Sequence, residues 1–431
     1  MALNWQAPLG TNFDDTFYAY LKIMEGDTLA PVPVNGNPTI GVGFDLVAGG
    51  PVVQNAVLTG LGLTPSIVAL SPNQAAALVA GTWQASEYAY VQQLRAQMVK
   101  NGSIGTMDSI MSQRAQDPNL SNIANRRTSF AFANDTEVRN VYNLLLPTYV
   151  NKIFTQYPAL QTYTAFATSR ERMVLTDLAW NGGTGILGSG LGNAIASGNR
   201  AEAWFQIRYA SNGGNSRGLA KRRYQEAELF DLYDSPSNPS GPAEAQSVYD
   251  MFTKHRDAIL AYEAKFGENS DGSLGIYGDM IAQANLDYPL SIGPAVQSLR
   301  QELQPAAQEL SVLYGQGQTF DPLNIFDASS GKNIISRASD INSDLMIGGA
   351  VTDTLTGGTA AGSVVSASNS GNVYVYQAPT NGTITTMTID DSRDKNSGSI
   401  GSVALTFFWV FTILYVVIYF KNTLPIVSFQ F

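Results

Sequence analysis

Two acidic side chains and a hydroxyl near the start of the chain carry its clearest chemical signal. Glu25 closes the run Ala19-Tyr20-Leu21-Lys22-Ile23-Met24-Glu25-Gly26, and Thr39 and Asp45 lie in Asn37-Pro38-Thr39-Ile40-Gly41-Val42-Gly43-Phe44-Asp45. A pair of carboxylates suits cleavage of a glycosidic bond. One protonates the leaving oxygen, and the other favours the oxocarbenium-like transition state or activates water. The competing reading of Asp45 is structural, a cap on the strand or on the turn that follows.

The elements that must position these groups can be read from periodicity. Phe17, Tyr20, Leu21 and Met24 recur at helical spacing and Gly26 suits a left-handed stop, so Glu25 falls in the last turn of a helix. Residues 39–45 alternate as a strand does, with Thr39, Gly41, Gly43 and Asp45 on one face and Ile40, Val42 and Phe44 on the other. Glycine inside a strand marks a place where a ligand or another backbone comes close. Residues 46–165 read as mostly helical, and Ser71-Pro72-Asn73-Gln74 is a good helix start. The run Ser235-Pro236-Ser237-Asn238-Pro239-Ser240-Gly241-Pro242 is the clearest break. Beyond it, 243–266 and 295–314 read as amphipathic helices, with Val248, Met251, Phe252, Ile259, Leu260 and Tyr262 as expected buried positions.

Glu25-Gly26 followed by Thr39-Ile40-Gly41-Val42-Gly43 resembles the signature of the phage-type (T4-like) lysozymes, which is Glu-Gly, a turn containing Asp, then Thr-Ile-Gly-x-Gly. Those enzymes carry the catalytic Asp six residues before the Thr, where this chain has Pro33 with Val34 beside it. Six residues after the Thr stands Asp45, and the order Glu, Thr, Asp is similar to that of pesticin-type bacteriocin muramidases. Three further blocks continue the resemblance. Arg170 to Gly183 is similar to the family's central helix, Ala194 to Trp204 to the helix pair that follows, and Arg217-Gly218-Leu219-Ala220-Lys221-Arg222-Arg223-Tyr224-Gln225-Glu226-Ala227 to its closing helix. Together the blocks span about half of the chain. The resemblance implies a muramidase acting on peptidoglycan, with Glu25 as general acid, Asp45 as base or electrostatic partner and Thr39 positioning water. In phage-type lysozymes the outcome is inversion.

Composition bounds the alternatives. The chain has 431 residues, 44% of them hydrophobic and only 14% charged, which points to a folded body of two or three domains rather than wholesale disorder. Cysteine is absent, so disulfide and thiol chemistry are excluded. The single histidine, His255, makes a His-based triad or a His-rich metal site untenable, and its polar helical surroundings predict a surface position. The net charge of −10 is uneven: residues 1–240 hold 16 Lys and Arg against 17 Asp and Glu, so the acidity lies beyond them. Eight basic residues fall between Arg170 and Arg223, a local field that could offset repulsion from an anionic wall, although solvated helix faces explain them equally well. No basic arm, zinc spacing or stacked aromatic motif suggests nucleic acid. No cofactor is expected.

From about residue 320 the chain becomes rich in Gly, Ser, Thr, Asp and Asn. Asp344 to Gly358 resembles, in degenerate form, the Gly-Gly-x-Gly-x-Asp-x-Leu-x nonapeptide of calcium-binding β-roll (RTX) proteins. Val351 replaces a turn glycine, and Gly362 stands where the second unit needs its Asp. One and a half units are too few to stack a core, and the segment reads as a β-roll remnant. Residues 403–420 are uncharged and long enough to cross a bilayer as a helix, with Tyr415, Tyr419 and Lys421 as interface anchors; a buried strand or an altered reading frame competes with that reading.

The expected fold class is therefore α+β. A mainly helical, two-lobed, lysozyme-like domain with a small β-sheet around 33–45 occupies 1–235, and a linker spans 236–242. A helical region follows at 243–318, then a β-prone region at 319–400 and an apolar helix at 403–420. No signal peptide is visible in Met1-Ala2-Leu3-Asn4-Trp5. The expected location is membrane-associated or secreted, at the bacterial wall. Two further classes stay open: a peptidoglycan-binding module without catalysis, favoured by Pro33, and a secretion or structural component that opens the wall locally.

Overall fold

The computed structural model describes residues 3–7, 12–214, 216–288, 290, 293–314 and 321–327, and beyond these the strands between 334 and 419. The fold is mainly helical with a small antiparallel sheet, an α+β arrangement. The chain divides into two compact units, residues 7–188 and residues 1–6 with 189–431.

In the first unit, α1 (Phe13–Glu25) starts at Asn12, whose side chain accepts from the Asp14 and Asp15 N–H groups, and it stops at Gly26 with φ +86°. Strands β1 (Thr28–Val34), β2 (Asn37–Gly41) and β3 (Phe44–Asp45) form the small sheet in that order, all antiparallel. The Asn35-Gly36 turn between β1 and β2 has both residues at positive φ, the geometry that a two-residue hairpin requires. Helices follow: α2 (Gly50–Gly60), the single turns α3 (Pro65–Val68) and α4 (Pro72–Ala75), α5 (Trp83–Met98), α6 (Ile104–Gln116), α7 (Asp135–Gln156) and α8 (Arg170–Gly182). The expected start at Ser71 is present as a capping box with Gln74. Helix α8 is buried on nearly every side, from Met173 through Trp180, and acts as the central rod of the unit. Helix α7 packs against both α2 and α8. A fully buried, two-pronged Arg114–Glu87 pair at 2.7 and 2.8 Å ties α6 to α5.

In the second unit, α9 (Ser189–Ser197), α10 (Arg200–Phe205), a π-turn at Gln206–Ala210 and α11 (Arg217–Phe230) precede α12 (Pro242–Phe266), α13 (Met280–Asp287) and α14 (Leu299–Tyr314). The Pro-rich break expected as a linker lies inside this unit: Ser235 bridges Asn238, and Glu244 accepts N–H groups from both Asp234 and Ser240. The reason is visible in the core. Arg208, wholly buried, reaches Glu302 at 3.3 Å and Glu263 at 3.5 Å, so α12 and α14 supply the partners of a charged residue that lies before the break. Val248, Met251, Phe252, Ile259 and Tyr262 are buried as expected. His255 differs from expectation. Its ring stacks on Phe205 at 3.7 Å and meets both oxygens of Glu202 at 3.0 Å, because the polar stretch around it faces α10 rather than solvent.

Past α14 the chain alternates between two sheets. One holds β4 (Ile325–Asp327), β6 (Leu345–Ile347), β8 (Ser363–Ser366) and β10 (Thr385–Asp390), each parallel to the next; the other holds β5 (Ile334–Ser336), β7 (Thr354–Gly357) and β9 (Val373–Tyr376). Ile325 pairs with Leu345 and Ile334 with Thr354, a step of twenty residues. This pairing, with parallel strands recurring about every twenty residues in each sheet, is that of a parallel β-solenoid. Of the Gly and Asp positions of the expected calcium repeat, Asp344, Asp353 and Gly362 lie outside the described residues. The apolar run expected as a helix is instead two antiparallel strands, β11 (Val403–Val410) and β12 (Ile413–Tyr419), added to the edge at β10. Its Val, Ile, Thr, Phe, Trp and Tyr residues favour the pleated conformation. Among the described residues no helix is long and apolar enough to cross a membrane.

Candidate functional site

The three residues singled out by chemistry come together in the first unit, on α1 and the β2–β3 hairpin. The expected single strand from 39 to 45 is broken, because Gly41 and Gly43 adopt φ of +66° and +76° and fold the chain back. Thr39 and Asp45 therefore face each other across the hairpin as register partners, rather than sharing one strand's face. What comes close to these glycines is a side chain, rather than the ligand or backbone expected. A Cβ built on Gly43 would lie 2.8 Å from Oε2 of Glu25 and 2.9 Å from its Cβ and Cδ, so the bare backbone at Gly43 forms a wall against the Glu25 side chain. A Cβ on Gly41 would instead strike the Phe44 ring at 2.5 Å.

Asp45 is half-buried and heavily engaged. Its Oδ1 accepts the N–H groups of Val47 and Ala48, each at 2.8 Å, and its Oδ2 accepts the Asn37 amide at 2.9 Å. These donors orient the carboxylate and leave about one lone-pair direction for a ligand or water. Thr39 is buried, and its Oγ1 donates to the Asn37 carbonyl at 3.4 Å, a weak bond that a better partner can replace.

A third polar group lies within the field of both acids. Tyr149, on α7, has its phenol pushed up to about 12 by burial first, then by the charges of Glu25 and Asp45. Its ring lies 4.3 Å from that of Trp180 on α8 and carries the Lys152 ammonium 4.2 Å above it. Burial pulls Lys152 below the ordinary lysine range. Behind them, Phe44 and Tyr142 pack on Trp180 at 6.0 and 6.1 Å, and Phe17 on Tyr142 at 6.3 Å. Sequence reasoning passed over Tyr149, Lys152 and Asn37, and it took Trp180 only as part of a helix block. One signal was available: Tyr142 and Tyr149 are seven residues apart, two helical turns, and so mark a single aromatic face of α7. Among the described residues no group of three or more metal-ligating side chains forms a site.

Of the blocks that carry the lysozyme resemblance, Arg170–Gly182 is the central helix of this unit, while Ala194–Trp204 and Arg217–Ala227 belong to α9, α10 and α11 of the other. Comparison with protein-family models, with curated proteins and with solved structures finds no match to the chain.

Proposed function

We propose that residues 7–188 carry a glycoside hydrolase site of lysozyme type, which cleaves the β-1,4 bond between N-acetylmuramic acid and N-acetylglucosamine in peptidoglycan. The observation that carries this reading is the convergence on one hairpin of two carboxylates from different elements. Glu25 stands at a helix end against the bare backbone of Gly43, Asp45 follows two residues after that glycine, and Tyr149 feels both charges. Glu25 protonates the leaving oxygen, Asp45 stabilises the positive charge that develops on the sugar or draws a proton from water, and Thr39 directs that water. The net charge of the first 240 residues, close to zero, admits an anionic polymer without strong repulsion.

One observation favours a second reading, a peptidoglycan-binding cleft without turnover. The three donors on Asp45 are those of a turn cap, and a carboxylate spent on a turn need not act on a substrate. Turnover of purified peptidoglycan by the full chain and by Glu25→Gln separates the two. The amide keeps the shape but has no proton to donate, so the variant should lose release of reducing ends by about a hundredfold or more while its melting temperature stays close to the parent's. Activity within tenfold of the parent removes Glu25 from the acid role, and no activity in the parent chain favours the binding module.

A further inference from the structure

Tyr149 packs on Trp180, which also meets Phe44 of the hairpin that carries Asp45, and the two-carboxylate chemistry does not use its phenol. Its ring is fixed from both sides, by Trp180 from α8 and by the Lys152 ammonium from its own helix. Its hydroxyl makes no hydrogen bond with any described residue, although the other tyrosines near it do: Tyr142 donates to the Asp14 carbonyl at 3.4 Å, Tyr20 to Asp177 at 3.3 Å and Tyr157 to the Gly188 carbonyl at 2.9 Å. A largely buried phenol without a protein acceptor is a donor held ready for something else. Burial first, and then the charges of Glu25 on α1 and Asp45 on β3, push the phenol further above its ordinary value, so it stays a neutral donor.

We propose that Tyr149 is a ligand-binding residue of this cleft, donating its hydroxyl hydrogen to an oxygen of the saccharide that lies between Glu25 and Asp45. A neutral donor is matched to that partner: sugar hydroxyls, ring oxygens and acetamido carbonyls are neutral acceptors, and a rigid aromatic stem delivers the hydroxyl at small entropic cost. The proposal rests on the saccharide reading of the cleft and adds a specificity group to it. It does not require turnover, because a non-catalytic cleft would use the same donor.

The test uses the full chain in a Glu25→Gln background, titrated calorimetrically with soluble disaccharide and tetrasaccharide fragments of purified peptidoglycan. Tyr149→Phe in that background should weaken binding about tenfold, the loss of a single hydrogen bond, and leave the melting temperature unchanged because no protein bond is broken. Tyr142→Phe, on the same helix and against the same tryptophan, should leave affinity unchanged. In the parent background, Tyr149→Phe should raise KM more than it lowers kcat, as expected when an interaction is shared by ground and transition states. Equal affinity with and without the hydroxyl overturns the role of Tyr149 and leaves the saccharide cleft standing. A Glu25→Gln chain that binds none of the fragments at millimolar concentration overturns both.

Discussion

Replacing Gly43 by alanine tests whether the hairpin is there to hold the Glu25 carboxyl. Two penalties follow, and they can be separated. The first is backbone strain, since Gly43 sits at φ +76°, and a non-glycine residue held in sparsely populated backbone space costs about 1–3 kcal/mol. For a unit of this size that corresponds to roughly 2–4 °C of melting temperature per kcal/mol. The second is collision. The new Cβ would stand 2.8 Å from Oε2 of Glu25, where ordinary contact begins at 3.4 Å, so the carboxyl must retreat by about 0.6 Å. Misplacement of a catalytic group by ~1 Å costs around a hundredfold in rate, so a loss of roughly ten- to a hundredfold is expected. Gly81→Ala is the matched control: its φ is +80° and nothing lies within 4 Å of the added carbon. Thermal melts and peptidoglycan turnover, measured on both variants, give the answer. Both should lose a similar amount of melting temperature, and only Gly43→Ala should lose activity. Full activity in Gly43→Ala would refute the reasoning, because the acid would then be indifferent to the contact said to place it.

Asp45→Asn should cut turnover by at least about a hundredfold and also lower the melting temperature, since one amide cannot accept both from the turn N–H groups and from Asn37 without presenting its own NH₂ to a donor. Thr39→Ala should be milder in both assays, and a larger loss there than at Asp45 would reverse the assignment. In the second unit, burial first and Glu228 second hold the Glu302 carboxyl well above the usual carboxylate range, so the folded chain keeps a proton that the unfolded chain sheds above roughly pH 4.3. That stabilisation is complete below the unfolded value and is lost as pH rises through the folded one; Glu302→Gln should therefore flatten the fall of melting temperature with rising pH, and an unchanged slope would place the proton elsewhere.

The helical parts were legible because their signals are local. Phe17, Tyr20 and Leu21 are buried on α1 as their spacing requires, and Gly26 ends the helix with the positive φ its residue type suggested. The solenoid was not legible as such. Its strands are three to six residues long and pair with strands about twenty residues away, so the information lies in a long period carried by changing residues: Phe326 stands one coil from Met346, and Met346 one coil from Val365. The apolar run at 403–420 shows the opposite failure. Length and lack of charge are shared by a membrane helix and a strand pair, and only the excess of β-branched and aromatic residues separates them. The division of the chain was hidden for a third reason. Ser235-Pro236-Ser237 has the composition of a linker, but whether such a segment joins domains depends on what packs across it, and Arg208 with Glu302 packs across it.

Within the site, chemistry was easier to read than geometry. Glu25, Thr39 and Asp45 were identifiable by type, yet the same two glycines that signalled a close approach also turn the chain, and a strand reading of 39–45 could not hold both consequences. The turn has a cost for function. By folding β3 back on β2 it sets Asp45 opposite Thr39, but it also leaves the start of the next segment without partners, and Asp45 supplies them through Oδ1. The two oxygens are engaged separately: Oδ1 closes the turn, while Oδ2 accepts only from Asn37. Under the proposed role of Asp45, activity depends on the integrity of the hairpin that this carboxylate caps. Substitutions that loosen the hairpin without touching either acid should lower activity and stability together.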